Sequence, residues 1–419
     1  MARGTHATAD TRPISCAEDA EAYVAMVCFK HGPPERIGVE LEWTVHHRDD
    51  QDRSLDPRLL AEALGDHAPP TVAPHSTHLP LPRGSLVTVE PGGQVEISSL
   101  PSTSAGDLVA SVESDIASLD ALLEPAGLRR GETGIDPHRP PTRLLDVPRY
   151  AAMQDFFDGR GPWGSSMMCS TASMQVCLDA GQPSDVLLRW RTLHSVGPAL
   201  VALFANSPVV RSRRTGWASN RLRATLGTCP PFTHPVQHDR DPATSWVERV
   251  MTAPVMCVRR TCGRWHPDHP MSFAAWVSGA GERRPTYDDL DYHLSTLFPP
   301  VRPRGYVEVR YLDTQPPGTW HHPLLLLGAI LSSSRAAERA CELTEHCADL
   351  WLTAARRGLA DDTLRHAARA LVELAADRIG HLLTGAATAR STRGARLADV
   401  MVDALHQRTD PDPAGRQTA

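Results

Sequence analysis

The sequence predicts an α+β protein in which helices pack on one side of an antiparallel sheet, and three observations carry that reading. Four short segments alternate with period two, acids or amides on one side and apolar residues on the other, as strands do when they bury a single face. Two of these segments are joined by Pro91-Gly92-Gly93, a tight turn that sets neighbouring strands antiparallel. The last third of the chain instead repeats Leu and Ala at helical spacing, with Arg, Asp and Glu between them.

Residues 1–13 are polar and read as a disordered start, and Ala17 to Phe29 has helical spacing. In the first strand, Arg36 to Val45, Glu40 and Glu42 share one side of the pleat while Val39, Leu41 and Trp43 take the other. His67 to Pro82, rich in Pro and His, reads as an exposed loop. Ser85 to Glu90 and Gln94 to Ser98 form a hairpin that closes Glu90 and Glu96 over its bend. Ala105 to Leu123 is expected to be a helix crossing back over the sheet, and Pro148 to Phe157 a shorter one before a loop from Asp158 to Ser166. Thr171 to Asp179 returns to strand period with Thr171, Ser173, Gln175 and Cys177 on one side, so that Gln175 can join the acids.

Ser184 is placed to cap a long helix that kinks at Gly197-Pro198 and ends near Asn206, before Pro208. Arg211 to Arg223 reads as a polar loop, residues 241–281 as mixed structure, and Thr286 to Phe298 as helix. In the last strand, Tyr306 to Tyr311, Glu308 and Arg310 project together with Val307 and Val309 behind them. Helical patterns at His322–Leu331, Arg335–Gly358, Asp361–Leu383 and Ser391–His406 follow, expected to support the apolar side of the sheet.

Composition excludes several classes. With 419 residues, 41% hydrophobic and 22% charged, the chain can bury a large core. A net charge of −6 recommends neither nucleic acid nor an acidic membrane as partner. The longest apolar run, Leu324 to Leu331, falls far short of the ~20 residues that cross a bilayer. No apolar leader is visible in residues 1–13, and nine cysteines without a CxxC pair suit reduced thiols, so a cytoplasmic location is expected. Oligomeric state stays open.

Five carboxylates on one sheet face, Glu40, Glu42, Glu90, Glu96 and Glu308, would repel one another without a counter-cation between them. Oxygen ligands with no His or Cys beside them suit Mg²⁺ or Mn²⁺, and Mg²⁺ commonly shares its shell with phosphate, which points to a nucleotide. No GxxxxGK[ST] is present, no GxGxxG leads from a predicted strand into a helix, and there is no GxSxG elbow. The expectation is a sheet that grips a triphosphate through metal; five acids have room for two or three ions, and their number stays open.

The segment Glu90-Pro91-Gly92-Gly93-Gln94-Val95-Glu96 closely resembles a signature of the glutamate-cysteine ligases of plant and proteobacterial type, the type 2 family. Six more blocks resemble it in family order: Ile37–Glu42, Ser170–Val176, Leu203–Pro208, Ser219–Arg221, Pro285–Asp289 and Tyr306–Arg310. The wording of Met168–Gln175 and Glu308–Asp313 is most similar to the actinobacterial branch, which implies a place in ergothioneine biosynthesis. The resemblance implies a glutamine synthetase-like fold, an antiparallel sheet bent into a funnel with helices outside. It also implies ATP- and Mg²⁺-dependent joining of the γ-carboxylate of glutamate to the amine of cysteine through γ-glutamyl phosphate.

By the same resemblance, Glu40, Glu42, Glu90, Glu96 and Glu308 are metal ligands, and Glu96 and Arg310 are catalytic, Arg310 facing the transferred phosphoryl group. Arg221 and Arg149 hold substrate carboxylates, with Thr171, Ser173 and Gln175 at substrate polar groups. The implied division is a catalytic domain at 14–332, a helical region at 333–406 packed on it, and a disordered tail at 407–419. Two other readings stay in play: a related carboxylate-amine ligase using another amine, and a non-catalytic binding protein, against which so costly a cluster of like charges argues.

Overall fold

The computed structural model describes residues 10–384 and 392–410. Its centre is a six-stranded, wholly antiparallel sheet built from β1 (Ile37–Trp43), β2 (Leu86–Val89), β3 (Val95–Ser98), β4 (Ser173–Leu178), β5 (Val301–Pro303) and β6 (Val307–Asp313). The strand order is β2-β3-β1-β4-β6-β5. Alternation along these strands sorts the side chains: Val39, Leu41, Trp43, Val87, Val95, Ile97, Met174, Val176, Val307 and Val309 are buried on one face. The acids and amides occupy the other.

Helix α1 (Ala105–Leu123), capped by the Ser104 side chain accepting from the Asp107 N–H, lies against β1 as expected. Helices α2 (Pro148–Asp158), α3 (Trp163–Cys169) and α4 (Asn220–Thr228) gather at the polar face. The first was foreseen, but the second begins inside the expected Asp158–Ser166 loop and runs past it, and the third overlaps the end of the expected polar loop Arg211–Arg223. The long helix from Ser184 is broken into Val186–Ser195 and Gly197–Phe204, consistent with Pro198 in the first turn of the second piece.

The C-terminal helices pack mainly on Val186–Ser195, Gly197–Phe204 and His321–Ile330, and Gly197–Phe204 in turn packs on β6. They form an outer layer, one step further from the sheet than the sequence suggested. Two ends are more ordered than expected. Ile14 donates its N–H to Pro285 O at 2.9 Å, Pro13 bridges to Thr286, and the last helix, Thr392–Thr409, runs past the expected boundary at 407. The remainder of both expected disordered ends, residues 1–9 and 411–419, lies outside the described residues.

Candidate active site

The polar face of the sheet is divided by charge. Glu96 of β3 and Glu42 of β1 are direct cross-strand partners, and Glu40 sits in register between Ser98 and Gln175. Glu90 adds a further carboxylate from the turn between β2 and β3. On the other half of the sheet Arg302 of β5 pairs with Glu308 of β6, and Arg310 follows on β6. A cavity of about 360 Å³ spans both halves, lined by Glu40, Glu42, Glu90 and Glu96 and by Arg302, Arg304 and Arg310. Gln175 of β4 stands between the acidic and basic strands, while α2, α3 and α4 contribute Arg149, Met167 and Arg221 to the same wall.

Local chemistry explains the hairpin that carries Glu90 and Glu96. Gly93 donates to Glu90 O and Glu90 to Gln94 O, both at 2.8 Å, closing a turn in which Gly93 has φ +85°. Gly92 is needed for a different reason. A Cβ there would stand 2.1 Å from Cys169 O, so the end of α3 presses directly on the turn backbone. Gln94 fastens the contact: its Oε1 accepts from Gly92 N at 2.9 Å, and its Nε2 donates to Thr171 O at 2.9 Å and Met168 O at 3.2 Å. The signature from Glu90 to Glu96 thus joins one wall of the cavity to another.

The acidic half is electrostatically strained. Glu42 accepts from Ser173 N and Oγ at 2.9 Å each, and Glu96 accepts from Thr88 Oγ1 at 2.9 Å. Those donors do not offset burial and mutual repulsion. Burial, then the neighbouring Glu96, pushes Glu42 up to about 7; burial and Glu42 push Glu90 up to about 7; burial, Glu40 and Glu90 push Glu96 up to about 8. Such a set ionises fully near neutrality only beside an added cation. Among the described residues no three His, Cys, Asp or Glu groups form a ready-made metal cage. An all-oxygen wall still fits Mg²⁺ or Mn²⁺, because Mg²⁺ typically takes one or two carboxylates and completes its shell with water and phosphate oxygens.

The basic half is held differently. Glu308 is fully buried and is not on the cavity wall: Arg302 Nε donates to its Oε2 at 2.6 Å, Arg310 Nη1 to the same oxygen at 3.2 Å, and Arg304 Nη1 and the Tyr306 hydroxyl to Oε1 at 3.3 and 3.0 Å. Although burial alone would raise its pKa, Arg302, Arg310 and Arg304 hold the carboxyl well below the usual range. The expected fifth metal ligand is, in this structure, the anchor of three guanidinium groups, since its lone pairs already have four donors. A β-bulge completes the wall. Val309 pairs with Val176 and Leu312 with Met174, so Arg310 and Tyr311 together face Gln175, and Arg310 Nη1 donates to Gln175 Oε1.

The remaining expected residues also converge here. Arg149 donates through Nη1 to Ser295 Oγ and through Nη2 to Ser295 O, both at 3.0 Å, and its guanidinium lies 5.0 Å from the centre of the Tyr292 ring. Arg221 is buried, gives Nη2 to Arg310 O at 2.5 Å, and has no hydrogen-bond partner at Nη1. Thr171 lines the cavity but donates its hydroxyl to Met167 O at 2.5 Å, and Ser173 serves Glu42. Sequence reasoning missed Arg302, Arg304 and Tyr150 on the wall. A signal existed for the two arginines: Arg302 and Arg304, then Gly305, then Tyr306 and Glu308, is a period-two hairpin whose arms share a face.

Comparison with known proteins yields close relatives. The profile of Glutamate-cysteine ligase family 2 matches residues 36–419. Glutamate--cysteine ligase EgtA of Mycolicibacterium smegmatis is 39% identical over 378 residues, covering 87% of this chain and 85% of that protein. EgtA of Mycobacterium tuberculosis is 37% identical over 392 residues, covering 91% and 88%. The chloroplastic glutamate--cysteine ligase of Brassica juncea is 30% identical over 243 residues, 55% of this chain and 46% of the relative. Among solved structures, a glutamate--cysteine ligase of Francisella tularensis in complex with AMP superposes with a TM-score of 0.50 at 12% identity, covering 90% of this chain and 83% of that one, a likeness of fold.

Proposed function

This chain belongs to glutamate-cysteine ligase family 2, and from that premise we propose that it is an ATP-dependent glutamate-cysteine ligase supplying γ-glutamylcysteine to ergothioneine biosynthesis. The single observation that carries the reading is the charge division of one cavity, carboxylates on β3 and β1 and guanidinium groups on β6 and β5 with Gln175 between. The reaction needs both halves. A glutamate γ-carboxylate is a poor acyl donor because its oxygen would leave as a dianion. Attack of that oxygen on the γ-phosphorus of ATP releases ADP and leaves γ-glutamyl phosphate. The neutral amine of cysteine then attacks the acyl carbon, the C–O bond to phosphate breaks, and the amine loses a proton as the γ-amide forms.

Phosphoryl transfer asks chiefly for positioning and charge neutralisation. In this reading Glu40, Glu42, Glu90 and Glu96 hold the divalent cations, Mg²⁺ by preference, which supply positive charge to the phosphates. Arg310, kept in place by Glu308 and Gln175, faces the transferred phosphoryl group, with Arg302 and Arg304 beside it. Arg221 and Arg149 take substrate carboxylates, a task that the planar guanidinium fork suits. Thr171, Ser173 and Gln175 contribute polar contacts at the cavity wall.

The direct test is phosphate release from ATP, Mg²⁺ and glutamate by purified protein, before and after addition of cysteine, with the product identified by mass. Cysteine-dependent release with γ-glutamylcysteine formed is the expected result. Release that another amine stimulates and cysteine does not would reassign the acceptor.

A further inference from the structure

Arg221 has an unusual environment for a buried cation. Its nearest carboxylate, Asp313, is itself buried, with Oδ1 4.0 Å from Arg221 Nη1, too far for a hydrogen bond. The oxygens of Asp313 are engaged elsewhere: Oδ2 accepts from Asn206 N at 2.8 Å and Ser207 Oγ at 2.7 Å, and Oδ1 accepts from Ser219 Oγ at 2.8 Å. Two of these donors govern Arg221. Ser219 caps α4 by accepting from Leu222 N at 3.0 Å, and Ser207 Oγ accepts from Arg221 N at 3.1 Å.

The bulge in β6 makes this arrangement possible. On a regular strand Asp313 would project with Val307 and Val309 into the core, whereas the extra residue pairs it with Ser173, on the polar face. Chain segments at 206–207, 219–221 and 313 therefore meet at one carboxylate.

We propose that Asp313 is a positioning residue for glutamate binding, a counter-ion that sets Arg221 in place while leaving its Nη1 donor for the substrate. The inference rests on the reading of Arg221 as an arginine that binds the glutamate carboxylate. A counter-ion in hydrogen-bond contact would occupy one of the two Nη1 N–H groups and turn the fork away from the substrate, and one much farther away would leave a buried cation without compensation. A separation of 4.0 Å avoids both.

The test is steady-state kinetics on Asp313→Asn, Arg221→Lys and the double variant, with KM measured separately for glutamate, ATP and cysteine. Asp313→Asn should raise the glutamate KM about tenfold or more while those for ATP and cysteine move less than about twofold. In the Arg221→Lys background the same substitution should change the glutamate KM by less than about twofold, because the effect acts through Arg221. Equal increases for all three substrates, or full additivity in the double variant, would overturn the proposal.

If Arg221→Lys leaves the glutamate KM unchanged, the substrate role of Arg221 fails and this inference with it. If Arg221→Lys raises it and Asp313→Asn does not, the inference alone fails. Should Asp313→Asn not fold, Asp313→Glu decides, since it keeps the charge and shifts the carboxylate relative to Arg221: a glutamate-specific KM increase of about threefold supports the proposal, and an unchanged KM overturns it.

Discussion

Divalent-cation binding to this protein should be steeply pH-dependent and should release protons. In the metal-free protein Glu42 and Glu90 hold protons up to about pH 7 and Glu96 up to about pH 8, because burial and neighbouring carboxylates disfavour their charged forms. A cation that displaces only the Glu42 proton gains about tenfold in apparent affinity between pH 6 and pH 8; one that also displaces the Glu96 proton gains several-hundredfold. Mn²⁺ titration by electron paramagnetic resonance across this range measures the slope, and calorimetry in buffers of different ionisation enthalpy counts the protons. Glu96→Gln removes one of the two protons and a repulsive neighbour of Glu42, so its gain should fall to tenfold or less. Folding stability carries the same sign. Unfolded carboxyls lose their protons near 4.5, below the folded values, so the metal-free fold loses stabilisation as pH rises through 7 and 8. Its Tm should drop from pH 6 to pH 8.5, and Mg²⁺ should restore more at pH 8.5. Equal Mn²⁺ affinity at pH 6 and 8 without proton release would refute the reasoning.

Three further outcomes are expected. Arg310→Ala should lower kcat at least about a hundredfold in the phosphate-release assay, from loss of one preorganised cation, and a wild-type rate would remove Arg310 from the reaction. Glu308→Gln should lower both Tm and kcat, the latter at least about tenfold, because three guanidinium groups lose a shared buried counter-ion; an unchanged Tm by calorimetry would show that they do not depend on it. Gly92→Ala should lower Tm by several degrees, since the added methyl meets Cys169 O at 2.1 Å and the contact is backbone against backbone; unchanged melting would mean that the turn and α3 separate freely.

Much of the sheet was legible because alternation in a strand is a local property. β1, the β2–β3 hairpin, β4 and β6 were all visible in the order of acids and aliphatics, and α1 was read with its observed ends. The family resemblance carried the site residues further than periodicity could. Short helices were the main loss. α3 has seven residues and no side-chain cap, and the cap of α4, Ser219, takes its orientation from Asp313, 94 residues further along the chain. Nothing local distinguishes such segments from loops, because a helix this short depends on tertiary packing.

What the sequence determined by itself is the set of strands, the face on which each acid lies, and the membership of the chain in a ligase family, since period-two order and contiguous motifs need no partner to be read. Only the tertiary structure decided how the charges are paired. Glu308 and Glu96 look alike as outward-facing strand acids, yet one is surrounded by three arginines and the other by carboxylates. The reason is physical. A carboxylate's state depends on charges within a few ångströms, and strand order together with one extra residue in β6 sets which residues those are.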